Sequence, residues 1–385
     1  MVTVSCSGKL HAFALAEQLE KNKLLDSFFT TYAYQKNTYL RKYVKRIDKE
    51  EISVNKIHTN IPLAFPIKLM NDKVYIWNNW YDKWVASKIS KSNSKVFIGW
   101  SGMSLHSIRS AKKKGIKTIV ERGSSHILFQ DKILKEEYLK FGKDFSVHPV
   151  VIEKELKEYE EADYISVPSY FVKNSFIKYG VNEKKLIMNP YGVGSFFKPL
   201  DKNQSSINKK FTIVYLGTLS VRKGLIYLFE ALNNLQIPED SYEVLFVGKV
   251  DEILRNRINS EKNSNWKFLG HINFYELQSI LAVCDVAVHP SLEEGLSMGI
   301  PQMMSCGVPV IATTNTGGEN IINNGENGFI VPIRDSIAIK EKITYLFNNK
   351  TALDIMKRKA IDSVNAGFKW DDYGNRYMEF INKIV

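Results

Sequence analysis

Short apolar runs alternate with longer amphipathic stretches along most of this chain. Phe211-Thr-Ile-Val-Tyr-Leu, Tyr242-Glu-Val-Leu-Phe-Val and Val286-Ala-Val-His carry few polar positions. Such runs predict strands buried on both faces of a parallel sheet. Between them, Leu225–Leu235 and Glu276–Cys284 have the spacing of helices. Trp266–Gly270, Val308–Thr313 and Phe329–Val331 read as further strands, and the last helices begin near Ile337. The first half alternates in the same way with longer interruptions. Val2–Ser5 leads through Gly8 into a helix over Leu10–Glu20, and strands are predicted at Val96–Gly99, Thr118–Glu121 and Tyr164–Val167, with helices near 103–114 and 150–162. Alternation of this kind predicts α/β architecture with two doubly wound, Rossmann-like parallel sheets. The polar stretch Lys198–Lys210 is the natural linker. The boundaries expected are 1–198 for the first domain, 199–365 for the second, and 366–385 for a helix returning to the first.

At 385 residues two domains are the natural division. The net charge of +12 changes the picture once it is split. Residues 1–200 hold 33 Lys and Arg against 20 Asp and Glu, whereas the remainder is close to neutral. A basic half suits a pyrophosphate-bearing ligand, an anionic lipid surface or a nucleic acid, or is simply a solvated lysine-rich face. The N-terminus lacks the apolar core of a signal peptide, and no apolar run approaches the ~18 residues of a membrane span. Three scattered cysteines lack disulfide or metal spacing, which fits a reducing cytoplasm.

The candidate chemistry lies where predicted strands end. His289-Pro-Ser-Leu-Glu-Glu-Gly-Leu-Ser-Met-Gly-Ile-Pro-Gln-Met-Met-Ser-Cys-Gly-Val-Pro-Val-Ile runs from one strand through a turn and short helix into another. It sets Glu294 at the sheet's C-terminal rim beside a helix N-terminus, where backbone N–H groups and the helix dipole favour phosphate. A second loop, Gly217-Thr-Leu-Ser-Val-Arg-Lys-Gly, places two adjacent cations, Arg222 and Lys223, between a strand and a helix. It has neither the phosphate-loop Lys-Ser/Thr pair nor the dinucleotide fingerprint.

The segment at 290–310 resembles the donor-binding signature of retaining nucleotide-sugar glycosyltransferases of family four. Pro290, Ser291, Glu294, Gly295, Met304, Gly307, Pro309 and Val310 fall in register, while the second glutamate of the family pair is Gln302 here. The loop at 217–224 is similar to the family's G-R-x-x-x-x-K-G, with Thr218 in place of the arginine and Arg222 beside Lys223 as the substitute charge. The resemblance implies the GT-B fold, two Rossmann-like domains facing a cleft, with a nucleoside-diphosphate sugar as donor and no metal or other cofactor. It implies that Arg222 and Lys223 meet the leaving diphosphate, that Glu294 orients the sugar, and that Gln302 holds the ribose hydroxyls, with an amide in place of a carboxylate weakening that contact by ~1 kcal/mol. Gly8, Gly217, Thr218, His271, Ile272, Gly295 and Leu296 complete the donor set. His126, in the loop Glu121-Arg-Gly-Ser-Ser-His, is the candidate for the reacting face. Gly194 stands where the family's hinge strand has aspartate.

The acceptor implied is a glycan or lipid-linked cell-surface glycan, as in capsule or lipopolysaccharide assembly, reached from the cytoplasm at the inner membrane face. The basic and aromatic cluster Tyr39–Arg46 offers a contact for an anionic membrane, and Trp77, Tyr81 and Trp84 offer either the same or a core-facing helical stripe. A nucleic-acid partner is not expected, since no reading module accompanies the charge. Three rival readings stand beside the transferase. One is a sugar-phosphate synthase or epimerase on the same architecture. Another is a degenerate nucleotide-sugar-binding partner of a synthase complex, motivated by Thr218 and Gln302. The last is a nucleic-acid binder.

Overall fold

A computed structural model of the chain describes residues 1–8, 10–31, 52–60, 73–200, 210–261 and 263–385. The Arg41–Arg46 cluster and residues 201–209 of the expected linker lie outside the described residues.

Among the described residues, the first sheet holds seven parallel strands: β1 (Val2–Cys6), β2 (Leu25–Thr30), β3 (Ile57–Thr59), β4 (Val96–Trp100), β5 (Lys117–Glu121), β6 (Tyr164–Val167) and β7 (Leu186–Met188), in the order β3-β2-β1-β4-β5-β6-β7. The second holds six: β8 (Phe211–Leu216), β9 (Tyr242–Val247), β10 (Trp266–Gly270), β11 (Val286–His289), β12 (Val310–Thr313) and β13 (Gly328–Val331), ordered β10-β9-β8-β11-β12-β13. Every strand of β1, β4, β11 and β12 is buried along its length, because helices cover both faces. Each sheet reverses its winding beside its first strand, between β1 and β4 and between β8 and β11. Crevices open at such switch points, at the carboxyl ends of the strands.

The two halves are sewn together at two chain crossings. Residues after β7 run beside the approach to the last helix, Trp370–Ile384, where Val193 N donates to Phe368 O at 2.9 Å. A Cβ on Gly192 would lie 2.4 Å from the Trp370 nitrogen, so only glycine lets these strands touch. Arg376 ties the crossing down through Asn189 Oδ1 and the carbonyls of Pro190 and Gly367. The last helix packs against helix Ala12–Lys21, and Tyr373, Tyr377 and Ile381 belong to the same apolar core as β1. Burying each of these side chains contributes about 1.5–3 kcal/mol.

The aromatic helix Val74–Ile89 divides the expected stripe. Tyr81 is buried and donates to Phe29 O at 2.8 Å, Trp84 packs beside it on Phe29, and Trp80 is half exposed. Among the described residues, no helix is long and apolar enough to cross a membrane.

Candidate active site

A cleft of about 1140 Å³ lies between the carboxyl ends of the two sheets. Its first-domain wall includes His11, Phe13, Trp100, Arg122 and Tyr191, and its second-domain wall includes Gly217, Lys223, His289, Glu294 and Gln302.

On the second-domain wall, Lys223 Nζ bonds Glu294 Oε1, and His289 Nε2 stands 3.9 Å from the same oxygen. The loop carrying Glu294 is braced by its own backbone: Glu294 N donates to Asn315 O at 2.9 Å, Leu292 N to Arg222 O at 2.9 Å and Ser297 N to Thr316 O at 3.0 Å. Burial would raise the Glu294 carboxyl, but Lys223 and Arg222 overcome it and hold the group at about 2. Burial, reinforced by Lys223, pushes His289 down to about 4, so its ring is neutral near pH 7. The wall therefore presents an ionised carboxylate with a cation beside it. That pairing can accept hydroxyl protons from one part of a ligand and meet anionic oxygens of another.

Of the sequence candidates, Gly217, Lys223, Glu294, Leu296 and Gln302 line the cleft. Gly295 lies where the domains touch: a Cβ there would sit 2.2 Å from Gly123 O of the opposite domain. Gly8 ends the turn after β1, and Cys6 Sγ donates to its carbonyl. Thr218 and His271 are exposed away from the cleft lining, and Ile272 packs into the second-domain core. Tyr275, three residues after Ile272, lines the cleft instead.

Two candidates are held elsewhere. His126 caps helix Ile127–Leu139, its Nδ1 accepting from Leu128 N, and its ring stacks on Tyr179 at 4.6 Å. Burial and Arg122 lower it to about 4, and it does not line the cleft. Arg222 turns toward the domain interface, where its guanidinium bonds Glu293 Oε2 at 2.8 Å and Ser124 Oγ at 3.0 Å. Glu293 was not singled out from sequence, yet it is fully buried and reaches across the interface. It accepts from Ser125 N at 2.8 Å, Ser125 Oγ at 2.7 Å and Gln130 Nε2 at 3.0 Å. A second crossing centres on buried Glu137, which accepts from Tyr227 Oη at 2.6 Å and Arg334 Nε at 2.7 Å. The doubled acid Glu293-Glu294 was the available signal, since adjacent carboxylates on a turn must face different partners.

Among the described residues, no group of three or more His, Cys, Asp or Glu is placed to hold a metal ion.

Residues 210–349 match the family model described as glycosyl transferases group 1. An uncharacterized glycosyltransferase of Methanocaldococcus jannaschii is 24% identical over 292 residues, covering 72% of this chain and 70% of the relative. The Escherichia coli UDP-Gal:alpha-D-GlcNAc-diphosphoundecaprenol alpha-1,3-galactosyltransferase is 25% identical over 207 residues, covering 49% of this chain and 51% of that enzyme. The chain thus spans only about half the length of some curated relatives it matches. Among solved structures, sucrose-phosphate synthase from Thermosynechococcus elongatus superposes with a TM-score of 0.72 at 17% identity, covering 100% of this chain and 98% of that one. Anabaena HepE in complex with UDP gives 0.70 at 16% identity, covering 99% of each. Two parallel sheets facing one cleft give this chain the GT-B fold, and the stretch that matches the glycosyl transferases group 1 model supplies Lys223 and Glu294.

Proposed function

We propose that this chain transfers a sugar from a nucleoside-diphosphate sugar to an acceptor hydroxyl, with retention at the anomeric carbon and without a metal ion. The observation that carries the reading is the Lys223–Glu294 pair on the second-domain wall, facing the first domain across the cleft. Lys223 meets the diphosphate oxygens as negative charge gathers on them, and Glu294 accepts a sugar hydroxyl that fixes the anomeric carbon. Gln302 bonds the ribose. Arg222, held by Glu293, adds positive potential to this wall from the interface side. The departing diphosphate takes the acceptor's proton on the same face that the new bond forms, which gives retention.

The acceptor class proposed is a lipid-linked cell-surface glycan, handled at the cytoplasmic face of a membrane. The name of the Escherichia coli relative, which contains a diphosphoundecaprenol acceptor, supports it, as does the excess positive charge of the first 200 residues.

The test is thermal stability against UDP, GDP, ADP and their common sugars, with Glu294→Ala and Lys223→Ala in parallel. A ligand at 100 times its Kd stabilises by about 2.7 kcal/mol. One nucleotide should shift the wild type, with a further sugar-dependent shift missing from Glu294→Ala. Binding without turnover would favour the degenerate partner that Thr218 and Gln302 suggest, and no shift at all would refute both.

A further inference from the structure

The geometry points to His11 as the group that receives the acceptor's attacking hydroxyl, and to an uncharged sugar ring as the part of the acceptor bound there; this rests on the transferase reading above. Of the described histidines, His11 and His289 line the cleft, one from each domain. His11 stands just before helix Ala12–Lys21, with its ring packed on Tyr191 at 4.1 Å and Trp100 at 5.1 Å. Its Nε2 is buried, makes no hydrogen bond and lies 3.7 Å from Glu121 Oε1. That carboxylate, at the end of β5, accepts from Tyr373 Oη and Tyr377 Oη at 2.6 Å each. Two phenols thus fix Glu121, and Glu121 stands behind the imidazole.

A proton on Nε2, on the carboxylate side, leaves Nδ1 as the acceptor. Catalytic hydrogen bonds are commonly long in a ligand-free site and tighten once substrate is bound. His11 then holds the hydroxyl oxygen toward the anomeric carbon. The new bond forms from that oxygen as the bond from the anomeric carbon to the diphosphate oxygen breaks with its electron pair, and the hydroxyl proton passes to His11 Nδ1, which gives it up to the departing diphosphate. Glu121 acts through His11 and is a positioning residue.

The surrounding wall names the class of acceptor. Trp370 is partly exposed in the cleft and Phe13, Trp100 and Tyr191 close the wall behind it, which makes this side apolar and suited to the C–H face of a sugar ring. Arg122, the cation on this wall among the described residues, is taken up by Glu155 at 2.7 Å and Gln130 at 2.9 Å. The negative Glu121 behind His11 further disfavours a phosphate.

The experiment follows release of nucleoside diphosphate from the donor that gives the largest thermal shift. Octyl β-glucoside and octyl N-acetyl-β-glucosaminide are compared with glucose 6-phosphate and fructose 6-phosphate as acceptor probes. Octyl glycosides should stimulate release and sugar phosphates should not. His11→Phe, which keeps the ring but not its nitrogens, should lower glycoside-dependent kcat by about 100-fold or more. The nucleotide thermal shift should be unchanged. Glu121→Gln should lower kcat about tenfold with the same split. Should His11→Phe lose the nucleotide shift, His11→Gln is read in its place. Transfer within threefold of wild type in a folded His11 variant, a preference for sugar phosphates, or release indifferent to the glycosides overturns the inference and leaves the transferase reading standing. A wild type that releases no nucleoside diphosphate from any donor removes both.

Discussion

Removing the Glu293 carboxylate should loosen the closure of the two domains more than any other single deletion at the interface. Glu293→Ala takes away the acceptor of four hydrogen-bonding contacts, three of them from Ser125 and Gln130 of the opposite domain. It also removes the carboxylate facing Arg222, whose bonds to Ser124 Oγ and the backbone carbonyl of residue 293 remain. Breaking a buried ion pair costs about 3–5 kcal/mol. The Arg222 side chain is 33% exposed, so water solvates part of the orphaned charge and the cost falls to about 3 kcal/mol. The buried Ser125 N–H, left unpaired, adds ~1 kcal/mol. With an unfolding entropy of ~2.1 cal/mol/K per residue over the whole chain, this lowers Tm by about 5 °C if both domains unfold together. Scanning calorimetry reads the shift, and small-angle scattering reads the accompanying rise in radius of gyration. Glu293→Gln keeps an oxygen for Ser125 but loses the charge toward Arg222, and should fall between. A Tm within 1 °C of wild type for Glu293→Ala, at unchanged radius of gyration, would show that the interface does not depend on this carboxylate.

Three further outcomes follow from the same geometry. His126 and His289, each pressed to about 4 from an ordinary 6.5, make the unfolded state the better proton binder between those values. Stability therefore falls as pH drops from about 6.5 to about 4, by on the order of 3 kcal/mol per histidine, and a urea midpoint that stays flat from pH 7 to pH 5 would contradict this. Gly295→Ala sets a methyl against Gly123 O, so transfer should fall about 100-fold through misalignment while nucleotide binding to the second domain persists; equal loss of both would refute the alignment argument. Gln302→Glu restores a charged acceptor in the cleft and should tighten UDP binding about fivefold by calorimetry, with no change counting against contact with the ribose.

The strands of the second half were legible because parallel strands buried on both faces have few polar positions, as at Val286–His289 and Val310–Thr313. β2, β3 and β7 escaped notice for the opposite reason. Asp26 and Ser27 interrupt Leu25–Thr30, and three-residue strands leave no period to read. Helix Ile127–Leu139 was missed because its apolar and charged residues are spread around the barrel, with little separation of faces. In the cleft, turns that carry a recognisable pattern led directly to Lys223 and Glu294. His11 and His126 each follow a strand of the same sheet, and proximity to a strand end alone does not tell which ring meets the cleft. That depends on the Tyr191 and Trp100 packing around one and the helix cap made by the other, both long-range outcomes of folding.

The returning helix has a consequence for how the molecule is made. Tyr373, Tyr377 and Ile381 complete the apolar core of β1, and the two tyrosines set Glu121 in place. During synthesis these residues leave the ribosome only after the entire second domain has emerged. At ~5–20 residues per second, the first domain waits about ten seconds or more with one side of its core uncovered. The second domain has no such debt and can close as soon as β13 and its covering helices are out. The half synthesised first is therefore the half that finishes folding last, and it is the one whose nascent chain needs shielding from aggregation.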